Sequence, residues 1–169
     1  ETFQRYVRDV CVSAGEWGIE NVLLLNGHYL AQDPELEVVV RRLRSECDIQ
    51  AFHVPLVNLF AEVAAEIRTG EVSFHASEFE TSIMLELFPD LVSMDRATAV
   101  DPPAESLPLT EYDALGENAV GWSLTAAHME ALTPAGNIGD PTVATEETGQ
   151  ALVEAAVSDI CLLVDELEK

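Results

Sequence analysis

A short apolar run between two helical patterns constrains the fold of this chain most strongly. Residues 21–25 read Asn-Val-Leu-Leu-Leu, a continuous run that is typical of a strand buried on both faces. Apolar residues recur at helical spacing before it, over residues 2–14, and after it from Asp33 to about Cys47. A second strand is predicted over Ile49–Val54. Helix, strand, helix and strand in this order predict an α/β fold with a parallel sheet.

The rest of the chain predicts further helices between turn-forming segments. Residues 56–70 carry a helical pattern, a second helix ends near Phe88, and residues 98–144, rich in Pro, Gly and Asp, predict loops with short elements. An amphipathic helix is predicted over Thr145–Leu167, with Leu152, Ala156, Ile160, Leu163 and Leu167 on its apolar face. Without a repeat or a clear second domain, residues 1–169 are expected to form one domain. Its N-terminal part is expected to be missing, because the first residues read as the middle of a helix.

The charge of the chain is far from balanced. It has 31 acidic and 8 basic residues, a net charge of −23, and its only lysine is Lys169. Such a surface repels phosphate backbones, so a nucleic-acid partner is not expected. No apolar run reaches the length of a membrane span, so no membrane partner is expected either. A carboxylate-coated, lysine-poor protein indicates a salt-loving source, because salt screens the self-repulsion; the alternative is an ordinary acidic cytosolic protein.

The three cysteines, Cys11, Cys47 and Cys161, are scattered over helical patterns. Their odd number and spacing give neither a disulfide framework nor a CxxC metal site. We therefore expect buried, small apolar residues in a reducing cytoplasm.

One candidate for chemistry is His28, which follows the first strand in the sequence Asn26-Gly27-His28. In an open parallel sheet, ligands gather beyond the carboxyl ends of the strands. The Asn-Gly pair permits a sharp turn with positive φ, which can aim the imidazole over the sheet edge. A metal ligand or a general base fits this position, and a loop histidine without a special task is the alternative.

A second candidate is the segment His75-Ala-Ser-Glu-Phe-Glu-Thr-Ser82. Ser77 and Glu80 fit a capping box at the start of a helix. Glu80 is also expected to point toward the apolar side of that helix, where a carboxylate needs a partner such as a divalent metal. Glu78 is expected to be exposed. His75, just before the helix, could exchange protons with a substrate held near Glu80.

The other candidates carry less information. His53 lies in the second predicted strand and is interpreted as a core or rim residue. His128 is placed on a short helix, and Asp140 is interpreted as a helix cap rather than a catalyst.

Four segments together resemble the creatininase family of metal-dependent amidohydrolases. They are the strand that ends in Asn26-Gly27-His28, the His75–Ser82 segment, Pro89–Ala97 and Gly139–Thr145. Each motif alone is weak, whereas four in the order and spacing of the family are specific. The resemblance covers the chain from about Trp17 to Gly149.

The resemblance implies a three-layer α/β sandwich with a mostly parallel central sheet, and a homo-oligomer that is often a hexamer. It also implies two divalent metal ions, zinc or manganese, which activate a water that opens a C–N bond of a small amide. By position, His28 and Glu80 match metal ligands of the family. His75 matches the histidine that acts on the proton of the substrate nitrogen, and Tyr29 matches a residue beside the substrate.

Two departures from the family pattern bear on function. Creatininase itself continues the first motif as NGHYEN, whereas this chain has Leu30 and Ala31 there. The family's Glu-x-His pair and following Asp, which supply much of the metal site, are absent and would lie before Glu1.

The sequence therefore predicts a cytoplasmic amidohydrolase that cleaves a small cyclic amide or a formamide. Within the enzyme class, the alternatives are a deformylase of a formamidopyrimidine nucleotide, with Arg68 or Arg96 for the phosphate, and a peptide-trimming relative. From another class, the alternative is a non-catalytic homologue that acts as a binding or assembly subunit.

Overall fold

The computed structural model describes residues 1–28, 32–100, 115, 126, 130, 133 and 135–169. The chain separates into two compact units: Glu1–Leu59 with Leu162–Lys169, and Phe60–Cys161. The single domain expected over residues 1–169 stays a prediction.

The first unit contains the predicted alternation of helices and strands. Its elements are α1 (Thr2–Glu16), β1 (Asn21–Asn26), α2 (Asp33–Glu46), β2 (Gln50–Pro55) and the short α3 (Leu56–Leu59). Strands β1 and β2 pair in parallel, from Asn21 opposite Gln50 to Asn26 opposite Pro55. The predicted parallel pairing is confirmed here, and both strands end at the same edge.

The core of the first unit lies on one face of this strand pair. Its buried members come from both helices, from β2 and from the residue just before β2: Cys11, Val39, Leu43, Ile49 and Ala51. Val22 and Leu24 of β1 pack against them, whereas Leu25 is 49% exposed. The prediction that β1 is buried on both faces is therefore wrong at Leu25, because side chains alternate along a strand and the core covers only one face.

The second unit contains shorter strands. Its elements are α4 (Ala61–Ile67), β3 (Ser73–His75), α5 (Glu78–Leu87), the 3₁₀ turns Pro89–Leu91 and Met94–Arg96, β4 (Ile138–Gly139) and the 3₁₀ turn Pro141–Val143. The long helix α6 (Glu146–Leu167) follows. Strands β3 and β4 are antiparallel, with Ser73 opposite Gly139 and His75 opposite Ile138. The helix predicted over residues 56–70 is divided between α3 and α4.

Strand β4 brings distant sequence motifs of the second unit together. Gly139 has φ +110°, and a Cβ there would lie 2.5 Å from Val72 O and 2.7 Å from Ser77 Cβ. Only glycine tolerates both this backbone conformation and this close approach. Six residues on, Thr145 lies near the other end of the His75–Ser82 segment: its N–H donates to buried Ser82 Oγ at 3.1 Å. The Gly139–Thr145 motif therefore packs on the His75–Ser82 motif.

The predicted apolar face of α6 is confirmed. Leu152 is fully buried, and the other four predicted positions are partly buried. The prediction for the cysteines is correct only at Cys11: Cys47 is half-buried and Cys161 is exposed, because Cys161 lies off that face. In the part of the chain that the structure describes, no helix is both long enough and apolar enough to cross a bilayer.

Candidate functional site

The turn after β1 is built by the side chain of Asn26 rather than by a left-handed backbone. Buried Asn26 accepts a hydrogen bond from His28 N–H at Oδ1, at 3.1 Å, and donates from Nδ2 to His28 O, also at 3.1 Å. Gly27 is not among the residues with positive φ, so the predicted positive-φ turn is wrong. The asparagine side chain instead mimics a backbone turn. His28 itself is exposed, and Gln32 Nε2 lies 3.4 Å from its Nδ1.

Two further side chains of the first unit anchor this turn. Asp33 Oδ1 accepts a hydrogen bond from Asn26 Nδ2. His53, opposite Leu24 in the strand register, holds its Nε2 at 2.9 Å from the same Asp33 oxygen. We call Asn26, His28, Asp33 and His53 the strand-end cluster. Helix α2 begins at Asp33, with Gln32 as its N-cap.

In the second unit, the turn between β3 and α5 carries His75 and Glu80. His75 ends β3 and is exposed, and Ala76 adopts the left-handed conformation with φ +45°. Ser77 is the N-cap of α5, but its Oγ bonds to Ser73 Oγ at 2.8 Å and makes no cap bond. Glu80 accepts a hydrogen bond from Ala76 N–H. Ser77 is the N-cap as predicted, but neither hydrogen bond of the predicted capping box forms, because the Glu80 carboxylate folds back to the residue before the cap.

The two glutamates in the first turn of α5 have the opposite exposure to that predicted. Glu78 is 0% exposed, whereas Glu80 is exposed. Glu78 Oε1 accepts from Thr69 N–H at 2.9 Å and from Thr69 Oγ1 at 2.8 Å, and its Oε2 accepts from Gly70 N–H at 2.8 Å. The physical reason is that Glu78 opens the helix, so its side chain reaches back to the preceding loop instead of following the helical stripe.

The predicted site residues therefore fall into two groups. His75 and Glu80 flank one turn of the second unit, and His28 belongs to the strand-end cluster of the first unit. Tyr29 and His128 lie outside the described residues. Asp140 accepts from Thr142 N–H at 2.8 Å, which agrees with its interpretation as a cap. The participation of Asp33 and His53 was not predicted; the position of His53 near the carboxyl end of β2 was the available signal.

This chain is an α/β protein, because a helix connects the two strands of a parallel pair. Polar residues lie beyond one end of that pair. A family model described as creatininase, creatinine amidohydrolase, matches residues 1–164. The chain belongs to the creatininase family.

Two characterised relatives are hydrolases. The chain is 30% identical to a creatinine amidohydrolase of Pseudomonas putida over 91% of this chain and 58% of the relative. It is 28% identical to a 3-dehydro-scyllo-inosose hydrolase of Thermotoga maritima over 100% of this chain and 55% of that protein. The chain thus spans little more than half the length of these relatives.

Solved structures show the same fold. A creatinine amidohydrolase-like protein of Bacteroides fragilis matches 98% of this chain and 60% of its own, with 22% identity and a TM-score of 0.77. A mutant creatininase of Zn–Zn type matches 98% and 63%, with 24% identity and a TM-score of 0.71. A manganese form of creatininase covers the same shares, with 24% identity and a TM-score of 0.68. The predicted α/β creatininase fold is confirmed.

The described residues do not complete a metal centre. Among them, no group of three or more His, Cys, Asp or Glu side chains is arranged to hold a metal ion. His28 and Glu80 are one imidazole and one carboxylate on different units, whereas a catalytic zinc takes about three protein ligands. The donor set of the described residues alone therefore does not fit the two-metal site that the family resemblance implies.

Proposed function

We propose that this chain is part of an amidohydrolase that cleaves a C–N bond in a small cyclic amide or a formamide. The observation that carries the proposal is the β3–α5 turn, where the family motif places an exposed imidazole and an exposed carboxylate five residues apart. Membership of a family whose matched relatives are hydrolases supports it.

Each site residue has a proposed role. His75 transfers a proton to the leaving nitrogen, because its imidazole is exposed and its ring nitrogens can both accept and donate a proton. His28 and Glu80 each contribute one ligand to divalent zinc or manganese, and Tyr29 lies beside the substrate. Further ligands come from residues other than those described, since His28 and Glu80 do not complete a site. Because these two residues alone do not complete a metal site, we assign no reaction step to the metal.

The turn holds Glu80 in a defined place. Its hydrogen bond from Ala76 N–H fixes the carboxylate over the turn that follows His75. The acid also lies in the first turn of α5, where the partial positive charge of the helix N-terminus attracts a carboxylate. An anchored carboxylate is suited to bind a cation. We also propose that the protein is cytoplasmic and assembles as a homo-oligomer, such as a hexamer.

The proposed deformylase of a formamidopyrimidine nucleotide needs a phosphate site. Arg68 was one candidate, but its guanidinium donates to the carbonyl oxygens of Gly70, at 3.1 Å from Nε, and of Glu71. These bonds hold the loop that Glu78 also holds, so Arg68 has a structural use. Arg96, exposed in a 3₁₀ turn, remains the candidate for this substrate class.

One observation favours a second function, that of a non-catalytic binding or assembly subunit. Leu30 replaces the acid of the creatininase motif. A protein that kept the fold but bound no metal would show this feature.

The test is a hydrolysis screen on the full-length protein in high salt with added zinc or manganese. Creatinine, other small cyclic amides and formamides are the substrates, and amine or formate release is the readout. We expect one class to be turned over, and His75→Asn to lower kcat by about 10²- to 10⁴-fold. If the protein binds metal but turns over no amide, the hydrolase proposal is wrong. The binding subunit then remains as the proposed function.

A further inference from the structure

We propose that Ser73, Ser77 and Glu78 are positioning residues that hold the turn carrying His75. This inference rests on the proposed role of His75 in transferring a proton to the leaving nitrogen. The three residues are 2%, 1% and 0% exposed, whereas His75 and Ala76, which lie between the two serines, are exposed. We call Ser73, Ser77 and Glu78 the turn base, because these buried polar groups support the exposed dipeptide.

A bond between two hydroxyl groups bridges the turn on its buried side. Ser73 Oγ and Ser77 Oγ lie 2.8 Å apart, and Ser73 Oγ also accepts from Phe79 N–H at 3.5 Å. Ser73 lies two residues before His75 and Ser77 two residues after it, so the bond joins the chain on both sides of the imidazole. Because both serines are buried, water competes weakly for this bond. The turn cannot open at His75 without breaking it.

Glu78 closes a wider loop around the same turn. Its carboxylate accepts from Thr69 N–H at 2.9 Å, from Thr69 Oγ1 at 2.8 Å and from Gly70 N–H at 2.8 Å. These bonds join the first residue of α5 to the chain before β3, so residues 69–78 form a closed loop that contains His75. The carboxylate is fully buried, so its bonds to the loop are protected from water on its own side. The start of α5 is therefore tied to the chain that leads into β3.

The backbone of Ala76 shows that the turn is held in a conformation it would not choose alone. Ala76 has φ +45°, in the left-handed region that residues other than glycine rarely adopt. Such a conformation persists where the surrounding structure determines it. Ala76 N–H donates to the Glu80 carboxylate, and Ala76 is followed directly by Ser77 of the turn base. We infer that the turn base fixes the direction in which the chain leaves His75.

Strand β4 holds the strand side of the turn. His75 lies opposite buried Ile138, and Ser73 lies opposite Gly139. Gly139 approaches so closely that a Cβ there would lie 2.7 Å from Ser77 Cβ. Both serines therefore lie against β4, and the turn rests on the packed interior of the second unit.

A fixed turn matters for proton transfer, because a general acid must lie within hydrogen-bond reach of the atom that it protonates. The His75 ring makes no hydrogen bond with another described residue, so the backbone of the turn sets where the ring can reach. A small misplacement of such a group lowers the rate of the chemical step more than it weakens substrate binding.

The experiment compares Ser77→Ala and Glu78→Gln with the matched control Ser82→Ala in the full-length protein. Ser77→Ala removes the hydroxyl bridge but no helix cap, because the Ser77 side chain makes no cap bond. Ser82 is a buried serine of the same helix, and its hydroxyl accepts from Thr145 N–H outside the turn. The control therefore removes a buried hydroxyl bond of α5 without touching the turn base.

Hydrogen exchange of the Ala76 amide reports whether the turn is held, and kcat and KM are measured with the substrate that the hydrolysis screen identifies. We expect Ser77→Ala and Glu78→Gln to speed this exchange about 2- to 10-fold. Both should lower kcat about 10- to 100-fold and leave KM within about twofold. Ser82→Ala should match the unchanged protein in all three quantities. If Glu78→Gln does not fold, Ser77→Ala decides.

The positioning role is wrong if Ser77→Ala keeps the kcat of the unchanged protein, or if Ser82→Ala loses as much kcat as Ser77→Ala. If no amide is turned over, or if His75→Asn leaves kcat unchanged, the proposed role of His75 fails instead. Exchange at Ala76 then decides whether the turn base holds the turn: faster exchange in Ser77→Ala supports this, and unchanged exchange rejects it.

Discussion

Replacing Glu78 by Gln should destabilise the protein far more than the same replacement two residues later, at Glu80. The Glu78 carboxylate is fully buried and accepts from the N–H groups of Thr69 and Gly70 and from the Thr69 hydroxyl. A glutamine side chain keeps only one acceptor oxygen. If the amide oxygen takes the place of Oε2, it must accept from both Gly70 N–H, at 2.8 Å, and Thr69 N–H, at 3.1 Å, while the NH₂ group faces Thr69 N at 2.9 Å. In the other orientation, Gly70 N–H faces the NH₂ group.

The magnitude follows from the loss of the charged acceptor. A hydrogen bond to a charged group contributes about 1.5–3 kcal/mol and one between neutral groups about 0.5–1.5 kcal/mol, and Thr69 N–H also loses the shorter of its two bonds. The desolvation cost of the buried carboxylate, which the variant relieves, offsets part of the loss. We therefore expect Glu78→Gln to lower the free energy of unfolding by about 2 kcal/mol. Glu80→Gln should cost less than about 0.5 kcal/mol, because Glu80 and Ala76 are both exposed and water replaces the bond.

The assay is urea unfolding of the full-length protein at fixed salt, followed by circular dichroism. A lower midpoint at unchanged slope reports a true loss of stability. The test compares the urea midpoints of the two variants. Equal midpoints, or a lower midpoint for Glu80→Gln, would refute the assignment of Glu78 as the buried acceptor.

Other predictions follow from packing, burial and charge. Gly149→Ala should cost about 3 kcal/mol in urea unfolding, because the new Cβ would lie 2.0 Å from Ser82 O; Gly136→Ala, with open space but φ +87°, should cost about 1 kcal/mol. Burial raises the pKa of the Cys11 thiol, so at mildly alkaline pH a thiol reagent should label exposed Cys161 first and Cys11 last, and the reverse order would contradict the structure. Because the pKa of Cys11 is raised in the folded state, the folded protein holds this proton more tightly than the unfolded chain does. The free energy of unfolding should therefore fall as the pH rises past the ordinary thiol range. With a net charge of −23, the melting temperature should rise with salt, and a maximum in low salt would reject the halophilic interpretation.

The periodic elements of the first unit could be predicted from the sequence, because burial there follows simple patterns. Leu36, Val39 and Leu43 repeat at helical spacing and are all buried in α2. Strand β4, by contrast, could not be predicted within residues 98–144. A two-residue strand has no period, and the conformation of Gly139 depends on contact with Val72 and Ser77.

The roles of His28, His75 and Glu80 stay predictions, and the sequence did not reveal the local contacts around them. Helical periodicity assigned Glu80 to the buried side, but a residue in the first turn of a helix can reach backward, as Glu78 does toward Gly70. The contacts of Asp33 with Asn26 and His53 depend on strand register, which a single sequence does not specify.

Elemental analysis of the full-length protein, purified in high salt, tests directly whether the protein binds divalent metal through His28 and Glu80. We expect about two zinc or manganese ions per chain, a reduced content in His28→Ala and Glu80→Ala, and an unchanged content in His75→Asn. No bound metal after replenishment, or full metal content in both ligand variants, would contradict it.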